Sequence, residues 1–202
     1  MAILARMMLG MPEVLELSST PQTTIRHGQR INTTNRLLGR CDGVDGLKTG
    51  YTGRAGFCLV STAERGDLRL ISIVLGASSN RRRFSESADL LNKAYLDWQS
   101  VNVLAKGDDL GEDLPVRHGT ADTVRLVSGR DLRVLVPAKR TSEIRVAVTA
   151  PTSTRAPVAE GWTLGRVQVF LGDSVAAEGP AVAGMKVGRT SVLDQILDVF
   201  QQ

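Results

Sequence analysis

The spacing of apolar residues changes along this chain, and with it the element each segment predicts. Ala2-Ile3-Leu4-Ala5-Arg6-Met7-Met8-Leu9 reads as one short apolar helix, closed by Gly10 and Pro12. Thr23 to Arg30 alternates weakly, as a strand or sheet edge does. Ala55 to Ala63, the turn Glu64-Arg65-Gly66-Asp67 and Leu68 to Leu75 read as a β-hairpin of two largely buried strands. A helix follows, capped by Asn80 or a neighbouring Ser. Along it Phe84, Ala88, Leu91, Tyr95 and Trp98 recur at alternating spacings of four and three, which makes a core-packing stripe.

After about residue 103 the helical period disappears. Short β-rich runs at Thr123–Val127, Leu132–Val136, Ile144–Val148, Arg166–Leu171 and Ala181–Val187 are separated by turn signals at Ser128-Gly129, Thr141-Ser142, Gly172-Asp173 and Gly179-Pro180. Strands about ten residues apart with no helix between them predict a small all-β sandwich or barrel. The tail is helical again: Val192, Leu193, Ile196, Leu197 and Phe200 share one face, opposite Asp194, Gln195 and Asp198. With two acidic and no basic residues on its polar face, this segment suits docking on its own domain or on a partner better than contact with a lipid surface.

Composition narrows the classes. Of 202 residues, 42% are apolar and 23% charged, the balance of a core-forming chain, and no run reaches the roughly 18 to 20 apolar residues of a membrane-spanning helix. Met1 to Leu9 lacks the basic region and cleavage site of a signal peptide. The net charge of +4 lies entirely in residues 1–100, with 13 Lys/Arg against 9 Asp/Glu, while residues 101–202 hold 12 of each. Basic residues without interleaved stacking rings make nucleic acid a poor partner. Cys41 and Cys58 have no CxxC spacing and no His cluster beside them, so they read as two half-buried thiols. Neither a metal nor any other cofactor is expected.

The richest stretch is Asp42-Gly43-Val44-Asp45-Gly46-Leu47-Lys48-Thr49-Gly50-Tyr51-Thr52. Lys48, a hydroxyl and a glycine in a row at a strand edge offer a cation, a donor and an open backbone, which suits a carboxylate or an acyl-transfer site. Lys-Thr-Gly alone is better read as a plain turn. Its context is more specific: Asn32-Thr33-Thr34-Asn35-Arg36-Leu37-Leu38 before it, Ala55-Gly56-Phe57 after it, the hairpin ending Val74-Leu75-Gly76-Ala77, then Arg83 and a Leu90-Leu91 helix.

Joined, these segments resemble the serine-type D-alanyl-D-alanine carboxypeptidases, which are low-molecular-mass penicillin-binding proteins. The resemblance runs from about residue 2 to 189. Leu132 to Pro137, Ala156-Pro157-Val158 and Gly161 to Val169 look like the C-terminal β-sandwich of many members. It implies an α+β fold: part of a penicillin-binding-protein or β-lactamase-like transpeptidase domain over residues 1–103, a β-sandwich over 104–189 and an amphipathic helix over 190–202. It also implies a periplasmic enzyme of peptidoglycan biosynthesis that removes the terminal D-Ala of a stem peptide through a serine acyl-enzyme, and that takes β-lactams when intact.

Carried onto this chain, the resemblance makes Lys48 and Thr49 ligands of the substrate carboxylate. Gly50 leaves room along the strand, Thr52 adds to the binding edge, and Tyr51 supplies an oxyanion-hole N–H from its backbone. Arg83, last of Arg81-Arg82-Arg83, matches an Arg that helps to hold the carboxylate; the other reading is a solvated basic helix start.

The departures are equally specific. Three positions before the five lysines stand Asp45, Leu90, Val103, Val136 and Ala183, so no Ser-x-x-Lys nucleophile motif exists. Ser78-Ser79-Asn80 and Ser100-Val101-Asn102 spell Ser-x-Asn but follow Lys48, where the family has that motif before it; they read as a helix cap and a linker. The chain is therefore expected to be the C-terminal portion of a longer protein and to be inactive alone. The alternatives are a spacer or docking module at the cell envelope, which would engage a membrane surface or envelope protein through its last helix, and a fragment of a β-lactamase-like hydrolase.

Overall fold

The computed structural model describes residues 1–190, so the helix expected at the C-terminus lies outside the described residues. The chain divides into two compact units, Met1–Gln99 and the part from Ser100 onward.

The first unit opens with helix α1 (Ala2–Leu9) and a second helix, α2 (Pro12–Ser18). Pro12 was expected only to end α1. It also starts α2, because a proline in the first turn gives up an N–H that would have no partner there. The strand expected over Thr23–Arg30 is instead a two-stranded ribbon, β1 (Gln22–Thr24) against β2 (Arg30–Asn32). His27 (φ 66°) and Gly28 (φ 75°) reverse the chain between them, which an unbroken strand cannot accommodate.

Strands β3 (Val44–Thr52), β4 (Gly56–Arg65) and β5 (Leu68–Ala77) form an antiparallel sheet in that order. The expected hairpin is β4–β5, in register Val60↔Ile73 and Leu59↔Val74. Its turn needs Gly66, whose φ of 55° is costly for a residue with a Cβ. Helix α3 (Asn80–Asp97) begins at Ser79, whose hydroxyl accepts from the Arg82 N–H, so the Ser-x-Asn letters here do spell a cap. Phe84 and Leu91, with Ala88 and Tyr95 beside them, pack on Leu59, Ala63 and Leu70. Full burial of a leucine such as Leu59 or Leu91 contributes about 1.5–3 kcal/mol. The stripe stops at Tyr95, whose hydroxyl donates to Ala63 O at 2.7 Å and Leu68 O at 3.2 Å. Trp98 already has extended backbone angles and is 41% exposed.

The second unit contains β6 (Trp98–Leu104), β7 (Asp109–Arg117), β8 (Thr123–Ser128), β9 (Leu132–Pro137), β10 (Ile144–Thr149), β11 (Thr154–Arg155), β12 (Thr163–Leu171) and β13 (Ser174–Ala183). Six of them form one sheet, ordered β10-β12-β13-β8-β7-β11, and β6 pairs with β9. Leu132, Val134 and Val136 alternate on the buried face of β9 and meet Val167 and Val169 of β12, with Val101, Val103 and Leu104 of β6 alongside. Ser100-Val101-Asn102 is thus strand, not linker, and the second unit starts before the expected boundary after Val103. Gly179-Pro180, expected as a turn, lies inside β13. Pro180 O accepts from Gly129 N–H at 2.9 Å, so the proline nitrogen faces that same side, just past the end of β8, and the β12 ladder keeps its bonds.

Candidate functional site

Strand β3 is an edge strand: among the described residues its sole sheet partner is β4. The segment before it is stitched to its first half. Asn35, buried, donates from Nδ2 to Gly46 O at 3.0 Å and accepts the Leu37 N–H on Oδ1 at 3.1 Å. Helix α2 comes in from a third direction, with Ser18 Oγ donating to Asp45 O at 3.1 Å. That approach requires Gly46, since a Cβ there would stand 2.7 Å from Ser18 Oγ.

Between these pieces lies a groove of about 510 Å³, whose lining includes Glu16, Ser18, Thr34, Asn35, Lys48 and Thr49. Thr34 and Thr49 hydroxyls are 2.6 Å apart. Lys48 Nζ donates to Thr49 O at 2.6 Å and keeps two further N–H donors. A point charge, hydroxyls and the backbone of an open strand edge in one groove are the chemistry that suits a small anion on a group extending along the strand.

The remaining sequence candidates do not line that groove. Thr52 Oγ1 accepts the Ala55 N–H at 3.0 Å and holds the turn into β4. A methyl group on Gly50 would meet only Cys58 Cβ at 3.8 Å, so packing within the chain does not demand a glycine there. The Tyr51 ring is 61% exposed and stacks on Phe57 with centroids 4.4 Å apart.

Arg83 is neither a solvated helix start nor a groove residue. It is 8% exposed, lies over the rings of Phe57 and Phe84, and donates from Nη1 to Gly50 O at 2.8 Å and Cys58 O at 3.1 Å. Burial, with Arg36 adding and Cys58 opposing, pulls its pKa below the ordinary arginine value; a guanidinium nevertheless stays charged. At the other end of β3, Arg69 donates to Asp45 Oδ2 at 2.7 Å and Thr62 Oγ1 at 3.0 Å, and pairs with Glu64. Burial works against its charge, but Asp45 and then Glu64 outweigh it and raise its pKa.

Cys41 and Cys58 are free and half-buried. No group of metal-ligating side chains occurs among the described residues. Thr34, Asn35, Ser18 and Glu16 were not singled out as site residues. The polar run Asn32-Thr33-Thr34-Asn35 was the available signal for two of them, while the α2 pair had none once Pro12 was read as a stop.

Residues 1–79 match the sequence profile of the D-alanyl-D-alanine carboxypeptidases, and residues 98–189 match that of the penicillin-binding protein 5 C-terminal domain. The chain belongs to the D-alanyl-D-alanine carboxypeptidase family. It is 28% identical to D-alanyl-D-alanine carboxypeptidase DacD of Salmonella typhimurium over 100% of its own length and 52% of that protein. With DacC of Escherichia coli the identity is 30%, over 98% of this chain and 50% of the other. The chain thus spans about half the length of the curated relatives it matches. Penicillin-binding protein 5 of Haemophilus influenzae superposes with a TM-score of 0.69 at 27% identity, covering 92% of this chain and 54% of that one. Penicillin-binding protein 6B of Escherichia coli gives 0.62 at 26%, covering 90% and 48%. The α+β first unit and the β-rich second unit are those of this carboxypeptidase family.

Proposed function

We propose that this chain is the substrate-holding part of a serine D-Ala-D-Ala carboxypeptidase, with β3 as the strand along which a peptidoglycan stem peptide lies. The observation that carries this reading is the groove in which Lys48 and Thr49, on an open strand edge, meet the hydroxyl of Thr34. The terminal D-Ala carboxylate sits on the Lys48 ammonium and the Thr49 hydroxyl. A strand rises about 3.4 Å per residue, so the Tyr51 N–H lies roughly 7 Å beyond Thr49. That is about the length of one terminal residue plus a hydrogen bond, which brings the scissile carbonyl to the Tyr51 N–H as an oxyanion donor.

Acyl transfer also requires a nucleophile and a base, and none of the five lysines has a serine three positions before it. The chain alone therefore binds the peptide end and forms no acyl-enzyme. The same substrate places the protein on the peptidoglycan side of the cell envelope. Among the described residues no helix is long and apolar enough to cross a membrane.

Titrating the isotopically labelled chain with N-acetyl-D-alanyl-D-alanine, with amide and Lys48 side-chain NMR shifts as readout, tests the reading. Shifts are expected along Lys48–Thr52 and at Thr34, and Lys48→Ala weakens binding about tenfold or more, the value of a charge-assisted hydrogen bond. Shifts confined to other regions, or binding indifferent to Lys48, would overturn it.

A further inference from the structure

The peptide joining Gly50 to Tyr51 carries two groups: the carbonyl that Arg83 holds and the N–H expected to face the substrate. The bond is trans and planar, so its C=O and N–H point in opposite directions. Arg83 Nη1 bonds Gly50 O and Cys58 O together, and these two residues are register partners across β3 and β4. The Gly50 carbonyl thus points inward to β4, and the Tyr51 N–H points to the open edge of β3.

Directly opposite residues whose carbonyls face each other across an antiparallel ladder exchange N–H···O bonds, so the Gly50 and Cys58 carbonyls each keep a second lone pair to offer. The Arg83 guanidinium adds a charged donor to both. It lies over the rings of Phe57 and Phe84, and Tyr51 stacks on the same Phe57 ring. A cation bonded to a peptide oxygen also draws electron density toward that oxygen, which makes the N–H of the same peptide a stronger donor.

We propose that Arg83 is a positioning residue: through the Gly50 carbonyl it aims and polarises the Tyr51 N–H, and it does not itself contact the substrate carboxylate. The proposal rests on the reading that β3 receives a peptide C-terminus. It assigns to Arg83 a different task from the carboxylate contact implied by family resemblance.

The test is NMR on the labelled 202-residue chain, with N-acetyl-D-alanine as the carboxylate probe. In the wild-type chain a scalar coupling across the hydrogen bond is expected between Arg83 Nη1 and the Gly50 carbonyl carbon. In Arg83→Gln the Gly50 carbonyl and Tyr51 amide signals move upfield and Tyr51 amide exchange slows. Arg83→Lys, which keeps a cationic donor, restores part of each change. Affinity for N-acetyl-D-alanine stays within about threefold of wild type in both variants.

Unmoved Gly50 and Tyr51 signals in a folded Arg83→Gln variant would overturn the proposal, as would a loss of affinity of about tenfold or more. If that variant does not fold, the wild-type coupling decides, and its absence counts against the proposal. If the wild-type chain does not bind the probe, the binding reading fails while the coupling and the two signals still judge the role of Arg83.

Discussion

The hydroxyls of Thr34 and Thr49 meet at 2.6 Å where the segment preceding β3 touches the strand itself. One proton lies between the two oxygens and the other is free for the groove, whichever residue donates. Thr34→Val removes the contact at nearly constant volume. A partly buried hydrogen bond of this kind contributes about 1 kcal/mol, so the variant should lose about that much stability in denaturant titration. An unchanged midpoint would show that the pair does not hold the segment in place.

Ser72 on β5 and Ser87 on α3 form a second hydroxyl pair, 2.5 Å apart and buried. Ser87→Ala leaves the Ser72 hydroxyl without that partner, at a cost of about 1–3 kcal/mol. The double variant with Ser72→Ala removes both polar groups and should be less destabilised than the sum of the two single variants. A double-mutant cycle measured by urea unfolding checks this, and simple additivity would argue that the two hydroxyls are energetically independent.

The Tyr95 phenol titrates above its ordinary value, chiefly because burial disfavours the anion, with Arg65 opposing. In the unfolded chain the phenol ionises near pH 10. The folded form therefore holds a proton that the unfolded form gives up as the pH passes that value. The contribution is complete below about pH 10 and falls as pH rises toward the folded pKa. Tyr95→Phe should flatten this alkaline loss while forfeiting the hydroxyl bonds to Ala63 O and Leu68 O at all pH values. Thermal melts between neutral and strongly alkaline pH give the comparison.

Incubation with benzylpenicillin followed by intact-mass measurement should show the unmodified chain alone, because no Ser-x-x-Lys is present to open the lactam. A stoichiometric covalent adduct would reveal a nucleophile outside the expected motif.

The hydrophobic spacing along the chain determined the β4–β5 hairpin, the α3 stripe as far as Tyr95 and the β-rich character of the second unit, because each depends on neighbours close in sequence. Lys48 and Thr49 were legible too, as a local motif in a specific context. Helix α2, strand β6 and the placement of Pro180 within β13 were decided by partners far along the chain: Asp45 for Ser18, β9 for β6 and Gly129 for Pro180. The same holds for the groove, where Thr34 and Thr49 are 15 positions apart. It holds most clearly for Arg83. Its charge suggested an anion ligand, yet burial against two rings and two backbone carbonyls 33 and 25 positions away turn it toward the strand. Charge is a property of the residue, but the direction in which it acts belongs to the packed structure.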